Sequence, residues 1–305
     1  MTYEECLIQL AEQDDRIIVM TAENRALIRN VPAAIGERFI DTGITEQTMA
    51  GAAAGLALRG RIPVVHALAS FLTMRAFEFI RTNAGIANLP VKFCGYIPGF
   101  LSDANGPTHQ AIEDISLLRG IPGMEVYAPA DENDLTIMLP EIIASPAPAY
   151  IRINHRKGDY KHEDYFPGRA EVLSIGDDIT FLTYGLLFEN TLKAKAILER
   201  GGLSVGIVNM RSLKPIDEEL LLSLVDETDL IVTVEDHFIT GGLFSIVAET
   251  LLRNKITSNV FPLALRDRWF KPALLNDVIQ FEEFTPEKIA EHALIELENI
   301  LVSVK

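Results

Sequence analysis

Two hydrophobic periodicities alternate along the chain. Short apolar runs rich in Val, Ile and Phe recur between segments whose apolar residues repeat every three to four positions. In the first half, strands are expected at Ile17–Met20, Arg38–Asp41, Pro63–Leu68, Val91–Tyr96, Glu125–Pro129 and Ala149–Ile153. Helices are expected at Tyr3–Gln13, from near Thr45, at about Phe71–Gly85, at about Ile112–Arg119 and at Asp131–Ala144. The stretch Gly95–Gln110 carries no regular pattern, and a loop of that length inside a compact domain is usually functional.

A second series follows. Strands are expected at Ile179–Thr183, Ser204–Asn209, Leu230–Val234 and within Asn259–Leu265, and a closing amphipathic helix at Pro286–Leu301. Between the two series lies His155–Arg169, polar, charged and poor in aliphatics, which reads as an interdomain connection. Strands alternating with helices of this length imply βαβ units. The expected class is α/β with mainly parallel sheets: a domain over 1–156, a linker over 157–172 and a smaller domain over 173–305. Ligands of such sheets sit beyond the carboxyl ends of the strands.

Composition narrows the function. The 305 residues are 48% hydrophobic and 23% charged, as in a globular protein. Lys and Arg number 27 against 43 Asp and Glu, a net charge of −16, so nucleic acid and anionic membrane are not expected partners. Cys6 and Cys94 give neither a disulfide framework nor a metal motif, and the acidic N-terminus is unlike a targeting peptide. A reducing cytoplasm is expected.

Candidate chemistry gathers in three places. Asp41–Gly60, DTGITEQTMAGAAAGLALRG, reads as a strand end, a turn at Gly43 and a helix with Glu46 in its first turn. Glu46 can be a surface acid complementing the helix dipole, or a carboxylate held for chemistry. The small residues behind it, Ala50 to Gly55, allow close packing. Phe71, Met74 and Phe77 recur at steps of three with Arg75 between them, as a core stripe or as the wall of a site. Asn105-Gly106-Pro107-Thr108-His109-Gln110 ends the irregular loop on a rigid turn presenting an imidazole.

Taken in order, DTGITEQTMAGAAAG, ASFLTMRAFEFIR, GPTHQAIEDISLLRGIPGMEVYAPAD, VNMRSLKPID and IVTVEDH…GGL resemble the C-terminal half of transketolase, its pyrimidine-binding and C-terminal domains. That half also occurs in 1-deoxyxylulose-phosphate synthase and, more distantly, in the β subunits of 2-oxo acid dehydrogenases. The resemblance implies transfer of a two-carbon ketol unit between sugar phosphates, with thiamine diphosphate supplying the carbanion-stabilising centre. By the same resemblance Glu46 bonds the pyrimidine N1′ and Phe71 stacks on that ring, with Met74 and Phe77 completing its wall. His109 and Asn105 meet substrate oxygens, and Arg156 or Arg75 meets a substrate phosphate.

Family members also carry a Gly-Asp-Gly loop and an asparagine motif for the diphosphate and Mg²⁺, and no stretch of this sequence matches them. The expectation is therefore a C-terminal subunit active only with an N-terminal partner that holds Mg²⁺, in an α2β2 heterotetramer. Two departures concern the substrate. Asn105 stands where the family has aspartate, and Ile97 where many members have histidine. Each unpaired buried hydroxyl costs roughly 1–3 kcal/mol, so a modified or deoxy sugar phosphate is an alternative to pentose phosphates. A non-catalytic interaction subunit is the reading from a different class.

Overall fold

The computed structural model describes residues 1–303 and divides into two compact units, each α/β with mostly parallel strands. The first comprises Met1–Pro98 and Asp114–Pro167, and the second comprises Gly99–Glu113 and the chain from Gly168 onward.

The first unit holds strands β1 (Ile17–Thr21), β2 (Phe39–Asp41), β3 (Ile62–Leu68), β4 (Lys92–Tyr96), β5 (Glu125–Tyr127) and β6 (Ala149–Ile153). They lie in the order β5-β6-β4-β3-β1-β2, all parallel. β1, β4 and β6 are buried throughout because helices cover both faces of such a sheet, and they are largely apolar, with Lys92 in β4 and Arg152 in β6 as buried charged exceptions. Its helices are α1 (Tyr3–Gln13), α2 (Val31–Ile35), α3 (Glu46–Leu58), a short α4 (Phe77–Phe79), α5 (Asp114–Arg119) and α6 (Glu132–Ala144). Thr2 and Glu5 form a capping box on α1, and Asp131 caps α6. The connection from β1 through β2 runs to one side, and β3 returns to the other side of β1. The strand order therefore reverses at β1, and the crevice beyond its carboxyl end is where such sheets bind ligands.

α3 packs on β3 through Met49, Ala50, Ala53, Ala54 and Ala57. The close approach comes from its alanines. Gly55 and Ala52 are exposed, and a Cβ placed at Gly55 would touch nothing.

Three expectations are corrected here. The Phe71–Gly85 helix is not regular: Phe71–Arg75 and Ile80–Gly85 are π-helical turns on either side of α4. Its buried residues are Leu72, Thr73, Ala76, Ile80, Ala84 and Gly85, so the stripe Phe71, Met74 and Phe77 is not its core face. A wider turn shifts the register that a 3.6-residue period assumes. The Gly95–Gln110 stretch is not structureless, since Gly99–Asn105 is 3₁₀-helical with a kink at Asp103. The following helix begins at Asp114, not Ile112.

The second unit holds β7 (Glu171–Ser174), β8 (Ile179–Thr183), β9 (Val205–Asn209), a short β10 (Ser212–Lys214), β11 (Leu230–Phe238) and β12 (Val260–Leu265). Five of them lie in the order β12-β11-β8-β9-β7, parallel except for β7. Its helices are α7 (Phe188–Arg200), α8 (Glu218–Glu227), α9 (Leu243–Arg253), α10 (Leu275–Phe281) and α11 (Pro286–Ser303). The sequence reading missed β7, β10 and α10, which are short and lack a full period of pattern. Among the described residues, no helix is long and apolar enough to cross a membrane.

Candidate active site

Glu46 and Phe71 stand just beyond the carboxyl ends of the two strands that flank β1. After β2, Gly43 adopts φ 68 and its N–H donates to Asp41 Oδ1 at 2.9 Å, which turns the chain into α3. Thr45 does not cap that helix; its hydroxyl donates to the Thr42 carbonyl at 2.9 Å. Glu46 is the first helical residue and only 3% exposed. A dipole-complementing acid needs no such burial, so the surface-acid reading of Glu46 does not describe its position. A buried carboxylate needs a partner. Among the described residues that partner is Arg75, whose Nη1 donates to Glu46 Oε2 at 3.0 Å.

After β3, the π-helical turn Phe71–Arg75 is fixed by buried Leu72 and Thr73, with the Thr73 hydroxyl donating to the Ala69 carbonyl at 2.7 Å. The turn places the Arg75 guanidinium carbon 4.1 Å from the Phe71 ring centroid, a cation–π contact. Glu46, Arg75 and Phe71 therefore form one cluster. Met74 is 36% exposed on the same turn and Phe77 is half-buried.

Ile97 follows directly on β4. Its φ is 46, a left-handed conformation that a β-branched residue adopts only under strain of order 1–3 kcal/mol. Backbone strain of this kind concentrates at functional sites. Arg156 is exposed beyond the end of β6, a strand two positions from β3 and about 10 Å away by strand spacing. Its backbone carbonyl accepts from the Glu132 N–H at 3.0 Å, and its own N–H donates to Asn154 Oδ1. The structure does not bring it to the Glu46 cluster.

Asn105 and His109 belong to the second unit. Asn105 is exposed and donates its side-chain amide to the Ser102 carbonyl at 2.9 Å. His109 closes a turn on Gly106 (φ 86), and its Nδ1 lies 3.0 Å from the Thr108 hydroxyl. Their segment is anchored by Phe100, whose buried ring meets Phe270 and Phe284 at centroid distances of 5.2 Å. The Phe100 N–H donates to Asp236 Oδ2 at 3.1 Å, and the Gln110 side-chain amide donates to the Phe270 carbonyl at 2.8 Å.

The sequence reading missed the anchoring roles of Asp236 and Gln110. It quoted VEDH as a motif without a role. In the fold Asp236 holds the loop, while Glu235 accepts the Leu243 and Phe244 N–H groups at 2.7 and 2.9 Å at the start of α9. Three adjacent polar residues, Glu235, Asp236 and His237, inside an otherwise largely apolar strand were the available signal.

A buried carboxylate beside a part-exposed aromatic face is the donor set that a flat, nitrogen-containing aromatic ring requires. The residues present thus fit the aminopyrimidine half of thiamine diphosphate.

Residues 1–159 match the transketolase pyrimidine binding domain, and residues 168–289 the transketolase C-terminal domain. The chain is 36% identical over 258 residues to the 6-deoxy-6-sulfo-D-fructose transketolase subunit SqwH of Clostridium sp. (strain MSTE9), covering 83% of this chain and 80% of that one. It is 36% identical over 317 residues to the 1-deoxy-D-xylulose-5-phosphate synthase of Dictyoglomus thermophilum, covering 98% of this chain but 49% of that enzyme. A solved structure described as a split gene transketolase, inactive beta4 tetramer, superposes with a TM-score of 0.87 at 32% identity over 97% of both chains. The chain belongs to the transketolase family, with that family's pyrimidine-binding and C-terminal domains and the thiamine diphosphate dependence they imply.

Proposed function

We propose that the chain is the C-terminal subunit of a thiamine-diphosphate-dependent transketolase. It transfers a two-carbon ketol unit from a ketose donor to an aldose acceptor, in the cytoplasm and within sugar-phosphate metabolism. The observation that carries this reading is Glu46, buried at 3% exposure within one cluster with the Phe71 ring. When bound, the cofactor supplies a nucleophilic carbon that cleaves the donor and holds the two-carbon fragment. Glu46 shares a proton with the pyrimidine N1′. Phe71 stacks on the pyrimidine, and Met74 and Phe77 exclude water from its edge. His109 orients substrate oxygens, with Asn105 beside it, and Arg156 is the cation for a substrate phosphate.

An N-terminal subunit is proposed to hold the diphosphate and Mg²⁺, in an α2β2 assembly. The inactive beta4 tetramer of the related split gene transketolase supports a need for such a partner.

Three observations favour a donor other than the pentose phosphates. The Asn105 side-chain amide is engaged on the Ser102 carbonyl, and Ile97 replaces a polar group at a strained position. The Clostridium relative is named for 6-deoxy-6-sulfo-D-fructose. The test is ketol transfer to ribose 5-phosphate by the chain co-expressed with its N-terminal partner. Xylulose 5-phosphate and 6-deoxy-6-sulfo-D-fructose are supplied in turn, each with thiamine diphosphate and Mg²⁺. Activity in the mixture and in neither chain alone is expected. A complex that binds cofactor but transfers from neither donor would contradict the substrate class.

A further inference from the structure

Arg75 makes two contacts at once. It donates to Glu46 Oε2 at 3.0 Å, and its guanidinium lies over the Phe71 ring at 4.1 Å. A guanidinium is planar, delocalised and rich in N–H donors. An aminopyrimidine is also planar, and it asks the protein for the same two things, an aromatic face and a carboxyl oxygen. The same face and the same oxygen cannot serve both together.

We propose that Arg75 is a placeholder. In the cofactor-free chain its guanidinium stands in the aminopyrimidine's slot between Glu46 and Phe71, and the cofactor enters by displacing it into solvent. This rests on the assignment of Glu46 and Phe71 to the cofactor. Three features suit Arg75 to the task. Glu46 is too buried to be left as an unpaired charge, so the empty site needs a cation. The Arg75 side chain is 41% exposed and can leave without unpacking the core. It also shares one π-helical turn with Phe71, held from beneath by Leu72 and Thr73, so the turn stays in place while the side chain moves. The cost of displacement lowers the apparent cofactor affinity of the isolated chain. A partner that grips the diphosphate would tip the balance.

The test is calorimetric titration of the full chain with thiamine diphosphate and Mg²⁺, for wild type, Arg75→Ala and Arg75→Lys, with thermal melts to confirm folding. Arg75→Ala is expected to bind roughly tenfold tighter than wild type, the size of a half-exposed ion pair plus a cation–π contact. Arg75→Lys keeps the charge without the planar stack and should fall between them. Removing a cation from a chain of net charge −16 weakens anion binding on general grounds, so tightening has no other electrostatic source. Unchanged or weaker binding by Arg75→Ala overturns the proposal. Where neither form binds alone at millimolar cofactor, the same titration on the complex with the N-terminal partner decides, and equal or weaker binding by Arg75→Ala there overturns the proposal. Ketol transfer by the wild-type complex is a separate readout. Activity there without tightening removes the placeholder alone, whereas tightening without activity removes the ketol-transfer reading alone.

Discussion

Glu46 and His66 are both buried polar side chains with defined partners, and the partners set what each can do. Glu46 is matched by a cation that can leave, whereas His66 on β3 is matched by groups that cannot. Its ring nitrogens meet the Tyr3 hydroxyl at 2.7 Å and the Met20 carbonyl at 3.1 Å, which ties α1, β1 and β3 together. The network assigns the proton to Nδ1, donating to Met20, so that Nε2 accepts from Tyr3. Full burial pushes the His66 pKa down to about 4. The unfolded chain, with an ordinary histidine near 6.5, therefore binds the proton first as pH falls. Stability should decline between about pH 6.5 and pH 4, by about 3 kcal/mol in all for this group. Urea midpoints measured across that range on wild type and His66→Gln isolate the effect. The wild type should show the steeper loss, and equal slopes would contradict the assignment.

At the scale of elements, the regular pieces were legible because their periods are. The buried strands read as short, mostly apolar runs, and α1, α3 and α6 were placed by their start signals and pattern. The π-helical turns were not legible, since an extra residue per turn leaves no mark in an apolar stripe. Phe71, Met74 and Phe77 therefore read first as a core stripe, and the burial of Leu72, Thr73 and Ala76 instead overturns that reading. The Gly99–Glu113 segment was equally opaque. What holds it is the Phe100 ring against Phe270 and Phe284, contacts that span more than 150 residues of sequence. Phe100→Ala should lower the stability of the second unit by about 3–5 kcal/mol. Urea unfolding followed by the single tryptophan, Trp269, next in sequence to Phe270, measures it. A loss below about 1 kcal/mol would contradict the anchoring role.

At the scale of the molecule, two α/β units carry the family's two domains, and the chain spans about half of the synthase relative. The ordered motifs made the family readable because several of them recur in one order along the chain. The site roles expected of Glu46 and Phe71 came only from that resemblance. In isolation, a first-turn glutamate and a spaced aromatic have commoner explanations, and burial removes only the surface-acid one for Glu46 and the core-stripe one for Phe71. The substrate is less legible, because what sets Asn105 and Ile97 apart in the fold is a side-chain bond and a backbone angle that sequence does not display. The most direct measurement is the steady-state rate of ketol transfer by the reconstituted complex carrying Glu46→Gln or Glu46→Ala, with cofactor saturating and folding checked by thermal melts. Loss of about 10²–10⁴-fold in kcat with an intact complex is the predicted result. Activity within a few-fold of wild type would contradict the role given to Glu46.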